Sequence, residues 1–335
     1  MPMFQRFALG MELTDSLYKL VEVKKGMGRI RMTQYVVHPL LPVWRDGNDW
    51  TEPEELIQTI RDSLTTRRLR TRRVHLTLNN RNVITGLWRI PEMNKQRMHR
   101  WIQHKVLPAW DLPFSDPLFD FQTVGHVWQE GDRQEVVVAV ASRRYVEELL
   151  KLLRFCNLEP VSVDLAALSL YRWLDYAAET PVDKSVILHL TREGVEVSLF
   201  QYGGLQGCTF LTLPMDDFLK GRPDRPSIDP LTPVLTEDDQ LQGYRDALIR
   251  KMKEIDPSWM AVEAWRPNRR WILTGEGVDM HRLQYWMQEG SIPSVQVATG
   301  PQTLMSEKLQ MTSSRWLGAS LSVPLGAALK GVGVS

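Results

Sequence analysis

The chain has 335 residues, 43% of them hydrophobic, which is enough for two domains with cores of their own. Forty-one Lys and Arg against 40 Asp and Glu leave a formal net charge of +1, so no global field draws the protein to nucleic acid, and no nucleic-acid partner is expected. The longest apolar runs, such as "VVVAVA" at 136–141, fall well short of the roughly 20 residues that cross a bilayer. The apolar stretch 7–11 is too short for a signal-peptide core, which places the chain in the cytoplasm. Cys156 and Cys208 have neither a CxxC companion nor a histidine at ligand spacing, so a disulfide framework and a metal site are both unsupported and the two read as buried thiols.

In chain order, Phe7, Leu9, Met11 and Leu13 alternate with Ala8, Gly10, Glu12 and Thr14, the pattern of a half-buried strand. A polar turn, "LYKLVEVKK", a "GMG" turn and "RIRMTQYVV" follow, which makes a three-stranded meander. "EPEELIQTIRDSL" reads as a helix and "VHLTLN" as a strand. The basic run "TTRRLRTRR" (65–73) between them reads as a solvated helix terminus, with membrane proximity as its functional alternative. "NVITGLWRI" (82–90), a helix over 94–110 and a strand pair over 118–142 form extra α+β material. A helix at 143–156, a strand at 160–165 and a helix at 166–178 then complete the first unit.

The pattern repeats half a chain later. "SVILHLT" (185–191), "VEVSLFQY" (195–202) and "LQGCTFLTL" (205–213) form a second meander, followed by a helix and the strand "RRWILTG" (269–275). Meander, helix, strand, helix, strand is a ribonuclease-H-like unit, and two in tandem give an actin-like α/β fold. The expected divisions are 1–80 plus 143–180 for the first unit, 81–142 for the inserted subdomain and 181–335 for the second unit. The proline-rich stretch 220–240 reads as a mobile loop with few large apolar side chains to pin it.

Several blocks resemble one family in the same order. "LGMELTDSLYKLVEV", "VITGLWRIPEM", "VVVAVASRRYVEELLKLLRFCNLEPVSVDLAALSLYR", "ILTGEGVDMHRLQYWM" and "VPLGAALKGVG" are similar to blocks of the PilM family of type IV pilus assembly proteins, actin-like relatives of the division protein FtsA. The resemblance implies a nucleotide site built from two hairpin turns and a Gly-rich turn. Its positions here are Glu12, Thr14, Asp15, Ser16 and Lys19 in the first turn, His189 and Thr191 in the second, and Gly275, Glu276 and Gly277 in the third. Thr14 and Thr191 replace glycines, His189 replaces an aspartate, and Glu276 replaces the middle glycine, while Asp15 sets a carboxylate against a γ-phosphate. Three loops degraded together point to a protein that binds no cofactor and does not hydrolyse ATP, with ATP and magnesium as the alternative. Glu12 then reads as an ordinary polar residue at a strand end.

The resemblance further implies a cytoplasmic scaffold of a type IV pilus or competence pseudopilus assembly machine at the inner face of the cytoplasmic membrane. It would capture the cytoplasmic N-terminal tail of a single-pass inner-membrane partner, PilN in that family, alongside other pilus assembly proteins, and reach the membrane only through that partner. The tail would lie between first-unit residues 30–80 and the insert, where Trp88, Phe119, Phe121 and Trp128 are candidate partner-binding aromatics, with core packing as the plainer alternative. A nucleotide-binding actin-like ATPase and a self-associating FtsA-like polymer are the competing functions. The seven histidines show no metal or catalytic spacing.

Overall fold

The computed structural model describes residues 6–334 apart from 41–44, 47–48, 51–52, 80, 128–132, 178–181, 183, 220–228, 256–268, 290–291, 293, 312 and 315. The first sheet contains β1 (Phe7–Leu13), β2 (Leu17–Lys25) and β3 (Ile30–Pro39). A two-residue ribbon, β4 (Arg45–Asp46) with β5 (Asp49–Trp50), and helix α1 (Pro53–Thr65) lead to β6 (Arg73–Leu78). The insert follows as β7 (Val83–Pro91), α2 (Lys95–Trp101), β8 (Pro117–Val127) and β9 (Arg133–Ser142). Helix α3 (Arg143–Phe155), β10 (Glu159–Leu165) and α4 (Ala166–Ala177) return to the first unit.

The second unit has β11 (Ser185–Thr191), β12 (Gly194–Gln201), β13 (Gly204–Thr212), α5 (Asp238–Glu254), β14 (Arg270–Gly275), α6 (Met280–Glu289) and β15 (Val295–Val297). Two further helices, α7 (Glu307–Met311) and α8 (Ser322–Gly331), end the fold. The sheet orders are β10-β6-β1-β2-β3 and β13-β12-β11-β14-β15, so each meander is extended on its first strand by two parallel strands. The two units therefore repeat one topology. Among the described residues no helix is long and apolar enough to cross a membrane.

β1 differs from its expected half-buried state, because both of its faces are covered. Leu9, Met11 and Leu13 join Leu56, Ile60, Leu149 and Leu153 of α1 and α3 in one core. On the opposite face Ala8 and Gly10 meet α8, and a Cβ on Gly10 would lie 1.9 Å from the Pro324 carbonyl oxygen. The small residues are thus packing sites, not a solvent face. Gly326 of α8 is as tightly held, since a Cβ there would lie 1.6 Å from the Ser169 carbonyl oxygen of α4.

This packing corrects the second-unit boundary at 335: α8 lies against β1, β2, β6 and α4, and so belongs in space to the first unit. With α4 it fills a core shared by both units, which contains Ala8, Val21 and Val23 of the first sheet as well as Ile187, Phe200 and Ile272 of the second. α5 and α6 cover the outer face of the second sheet through Leu241, Tyr244, Leu248, Leu283 and Met287.

The expected mobile loop also needs correction where it is described. Residues 220–228 lie outside the described residues, but Leu231 and Leu235 are buried and Leu235 bridges Val278 in parallel. Apolar side chains do pin this half. The basic run begins where α1 stops at Thr65 and its arginines are exposed, but none of them falls in the last turn of the helix, so they follow on the loop to β6 and do not cap the helix dipole.

The insert is a three-stranded sheet, β7-β9-β8, with α2 on one face. It is latched to the second unit by Thr85, whose hydroxyl accepts from Cys208 N at 2.9 Å and donates to Cys208 O at 2.7 Å. Cys156 and Cys208 are both buried free thiols.

Candidate functional site

The three turns meet where the C-terminal ends of β1, β11 and β14 face one another. In the first hairpin Thr14 closes its own turn: Leu17 N donates to Thr14 Oγ1 at 3.0 Å, and Thr14 N donates to Leu17 O at 2.9 Å. Thr191 stands at the matching place in the second hairpin, with its hydroxyl donating to Gly194 O at 3.2 Å. Each threonine fills with side chain the space that glycine would leave for a ligand. Asp15 is paired with Arg81, a cation that offsets the carboxylate. Ser16, half-buried beside it, accepts from Leu40 N through its carbonyl at 2.7 Å.

Cross-strand pairing sets Glu12 opposite Lys19. Lys19 Nζ lies 3.1 Å from Glu12 Oε2 and 2.5 Å from Glu276 Oε2. His189 Nε2 donates to the other Glu12 oxygen at 2.7 Å. All four side chains are buried. Glu276 reaches this position because Gly275 and Gly277 on either side adopt φ +101° and +91°, and a Cβ on Gly275 would lie 2.0 Å from Leu190 O. The expectation that Glu12 is an ordinary strand-end residue is therefore wrong. It is the hub of a buried four-residue ion cluster that joins the two units.

The electrostatics follow from the geometry. Burial pushes Glu12 up, but Lys19 and His189 outweigh it and hold its pKa at about 2. Burial works against the charged forms of Lys19 and His189 as well, yet the carboxylates around them raise both. Glu276 goes the other way: burial and Glu12 push its carboxyl up against the pull of Lys19. Among the described residues, Glu276 Oε1 and His189 Nδ1 find no hydrogen-bond partner.

This set does not fit a magnesium nucleotide. Both Glu12 oxygens are engaged, the Lys19 charge is taken up by two carboxylates, and Glu276 adds a further buried carboxylate beside them. Among the described residues no three His, Cys, Asp or Glu side chains are grouped to hold a metal ion.

The second candidate region is the insert. Trp88, Phe119 and Phe121 share one face of its sheet and pack against Met98, Ile102 and Val138, so the three aromatics are brought together as the wall of a core. His99 of α2 lies against Phe119, with ring centroids 4.7 Å apart. Trp128 lies outside the described residues. On the other face a cavity of 490 Å³ runs between β8 and β9 and the body of the protein, walled by Leu118, Ala139, Val163, Leu168 and Leu205. Among the described residues of the expected wall 30–80, only Leu78 lines it. A second cavity, of 620 Å³, opens on the α2 side and shares Leu118 and Phe119 with the first. β8 is an edge strand between them.

Residues 10–188 match the family described as type IV pilus assembly protein PilM. The chain belongs to that family. No curated protein matches it. Among solved structures, a PilM–PilN type IV pilus biogenesis complex is 24% identical, with a TM-score of 0.76 over 97% of this chain and 98% of that one. The ethanolamine utilization protein EutJ from Carboxydothermus hydrogenoformans is 10% identical, with a TM-score of 0.54 over 98% of this chain and 91% of that one. Both likenesses are of fold, and the fold is the actin-like one.

The clearest signal that sequence reading passed over is the pairing of Glu12 with Lys19. Opposite charges at those two positions of a tight hairpin must face each other across the strands, and a buried pair follows once both strands are interior. Nothing local announces Glu276.

Proposed function

We propose that this chain is a cytoplasmic scaffold of a type IV pilus assembly machine, which holds the extended cytoplasmic tail of a single-pass inner-membrane partner and does not hydrolyse ATP. The observation that carries the reading is that β8, among the described strands, is an edge strand beside an apolar cavity. An extended peptide would add to β8 as a fourth strand through main-chain hydrogen bonds, and its alternate side chains would enter the pockets on either side of Leu118 and Phe119. The related PilM–PilN complex supports the choice of partner class. The ion cluster supports the non-enzymatic half of the reading, because the charges that would have to greet a nucleotide are already neutralised by one another. The test is fluorescence anisotropy with a labelled peptide of the partner's N-terminal cytoplasmic segment. Saturable binding that a scrambled peptide does not show is expected. No binding, together with filaments in sedimentation, would replace the scaffold with a self-assembling polymer.

A further inference from the structure

The end of the first sheet away from the ion cluster is strongly basic. β1, β3, β6 and β10 begin there and β2 ends there, as the pairings Phe7 with Lys24, Lys24 with Arg31 and Glu159 with Arg73 show. The loop entering β6 puts five arginines, Arg67, Arg68, Arg70, Arg72 and Arg73, into seven positions, all of them exposed. Its backbone is fixed from below: the buried Glu22 carboxylate accepts from Arg70 N at 2.6 Å and from Thr71 N at 3.4 Å. The β2–β3 hairpin adds the exposed Lys25, Arg29 and Arg31, and α3 ends at the exposed Arg154. Opposing acids are few there. Glu22 is turned inward, and Asp62 and Glu159 are exposed carboxylates beside the patch, while the exposed Glu54 and Glu55 lie in the first turn of α1 and Glu147 in the first half of α3, away from the ends of the two helices that reach it. Since the chain as a whole is only +1, this concentration leaves the remainder acidic and makes the molecule electrically polar.

Two large apolar side chains flank the basic end. Met27, at the tip of the hairpin, is fully exposed at 104%, and Phe155 is 60% exposed where Arg61 Nε donates to its carbonyl at 2.7 Å. A cationic field bordered by protruding apolar side chains suits a lipid surface, where arginines meet headgroup phosphates and apolar side chains enter the acyl boundary. A nucleic-acid backbone would use the arginines and leave Met27 without a role. We propose that this end of the first unit docks directly on the anionic headgroup surface of a bilayer.

The test is cosedimentation of the full chain with phosphatidylcholine vesicles with and without phosphatidylglycerol, which need no partner protein and so stand apart from the tail-binding reading. Binding is expected only to the phosphatidylglycerol vesicles and should weaken as salt is raised. With about fivefold per neutralised arginine, R67Q/R68Q/R72Q should weaken it about 100-fold. Met27→Ser combined with Phe155→Ser should weaken it further at high salt, where the apolar contribution dominates. Equal binding to both vesicle types, or an unchanged affinity in the arginine triple variant, would overturn the proposal. Tighter binding to a random DNA duplex than to the anionic vesicles would also overturn it and reassign the patch to nucleic acid.

Discussion

Lys19 Nζ lies 2.5 Å from Glu276 Oε2, although 257 positions separate the two residues in the chain. Both are buried, and each comes from a different unit, so the contact fixes how the units face each other. A buried ammonium flanked by two carboxylates is stable as a set, and removing one member strands the others. Lys19→Met should therefore destabilise the protein by about 3–5 kcal/mol in chemical denaturation. Lys19→Met combined with Glu12→Gln and Glu276→Gln should recover most of that loss, because no uncompensated charge remains. A single variant that loses less than about 1 kcal/mol would mean that the cluster is open to water.

The cluster also sets the pH response. The folded pKa of Glu12 lies at about 2, below its ordinary value of 4.5, so its contribution is present above 4.5 and lost as the pH falls towards 2. His189 is raised above 6.5, so its contribution is full below 6.5 and fades as the pH climbs through the folded value. Glu276, raised above 4.5, favours the folded state most when it is protonated and opposes Glu12 in the acid range. Melting temperature against pH should show both limbs. Glu12→Gln should abolish the Glu12 acid limb and lower the His189 imidazole in an NMR titration, since burial would then act on it without its carboxylate partner.

Isothermal titration with magnesium ATP should give no saturable heat. The expectation rests on Thr14 and Thr191 closing their turns through their own hydroxyls and on Lys19 being held by Glu12 and Glu276. A micromolar dissociation constant would overturn it and make Lys19 the first residue to substitute.

The meanders, the insert and the order of helices are legible because alternation and short turns are local properties. Thr14, Thr191 and Glu276 are legible for the same reason, since each sits in a short local turn. What the sequence hides is where long-range partners land. Nothing near 322–331 says that α8 will leave the second unit and press on Gly10, and nothing near 276 says that a glutamate will reach back to Lys19. The stretch 220–240 offers few large apolar side chains, yet Leu231 and Leu235 are buried and Leu235 bridges Val278, a partner distant in sequence. Trp88, Phe119 and Phe121 were legible as a cluster, but the side of the sheet they occupy depends on where α2 packs.

Thr85 is the latch between the insert and the second unit. Its hydroxyl bonds both the N–H and the carbonyl of Cys208, so Thr85→Val, which keeps the shape, removes two hydrogen bonds between the insert and the second unit. A cost of about 1–3 kcal/mol is expected. Hydrogen exchange should report it as faster exchange in β7 and β13 with little change in β1 and β2. Uniform acceleration across the chain would mean that the insert is held by other contacts.

Leu118 and Phe119 are neighbours on the β8 edge and should respond to substitution in opposite ways. Leu118 is 38% exposed and borders both cavities, with no place in the insert core. Phe119 packs on that core beside His99. If a partner tail adds to β8, Leu118→Asp puts a charge into the apolar pocket and should abolish anisotropy with the tail peptide while leaving the melting temperature within a degree or so, as exposed substitutions do. Phe119→Ala removes a half-buried ring from the core and should cost about 2–4 kcal/mol in insert stability, with any loss of peptide binding tracking the loss of folded insert. The reverse pattern, with binding lost only in Phe119→Ala at full stability, would place the peptide on the α2 side of the sheet, in the cavity lined by His99 and Trp110.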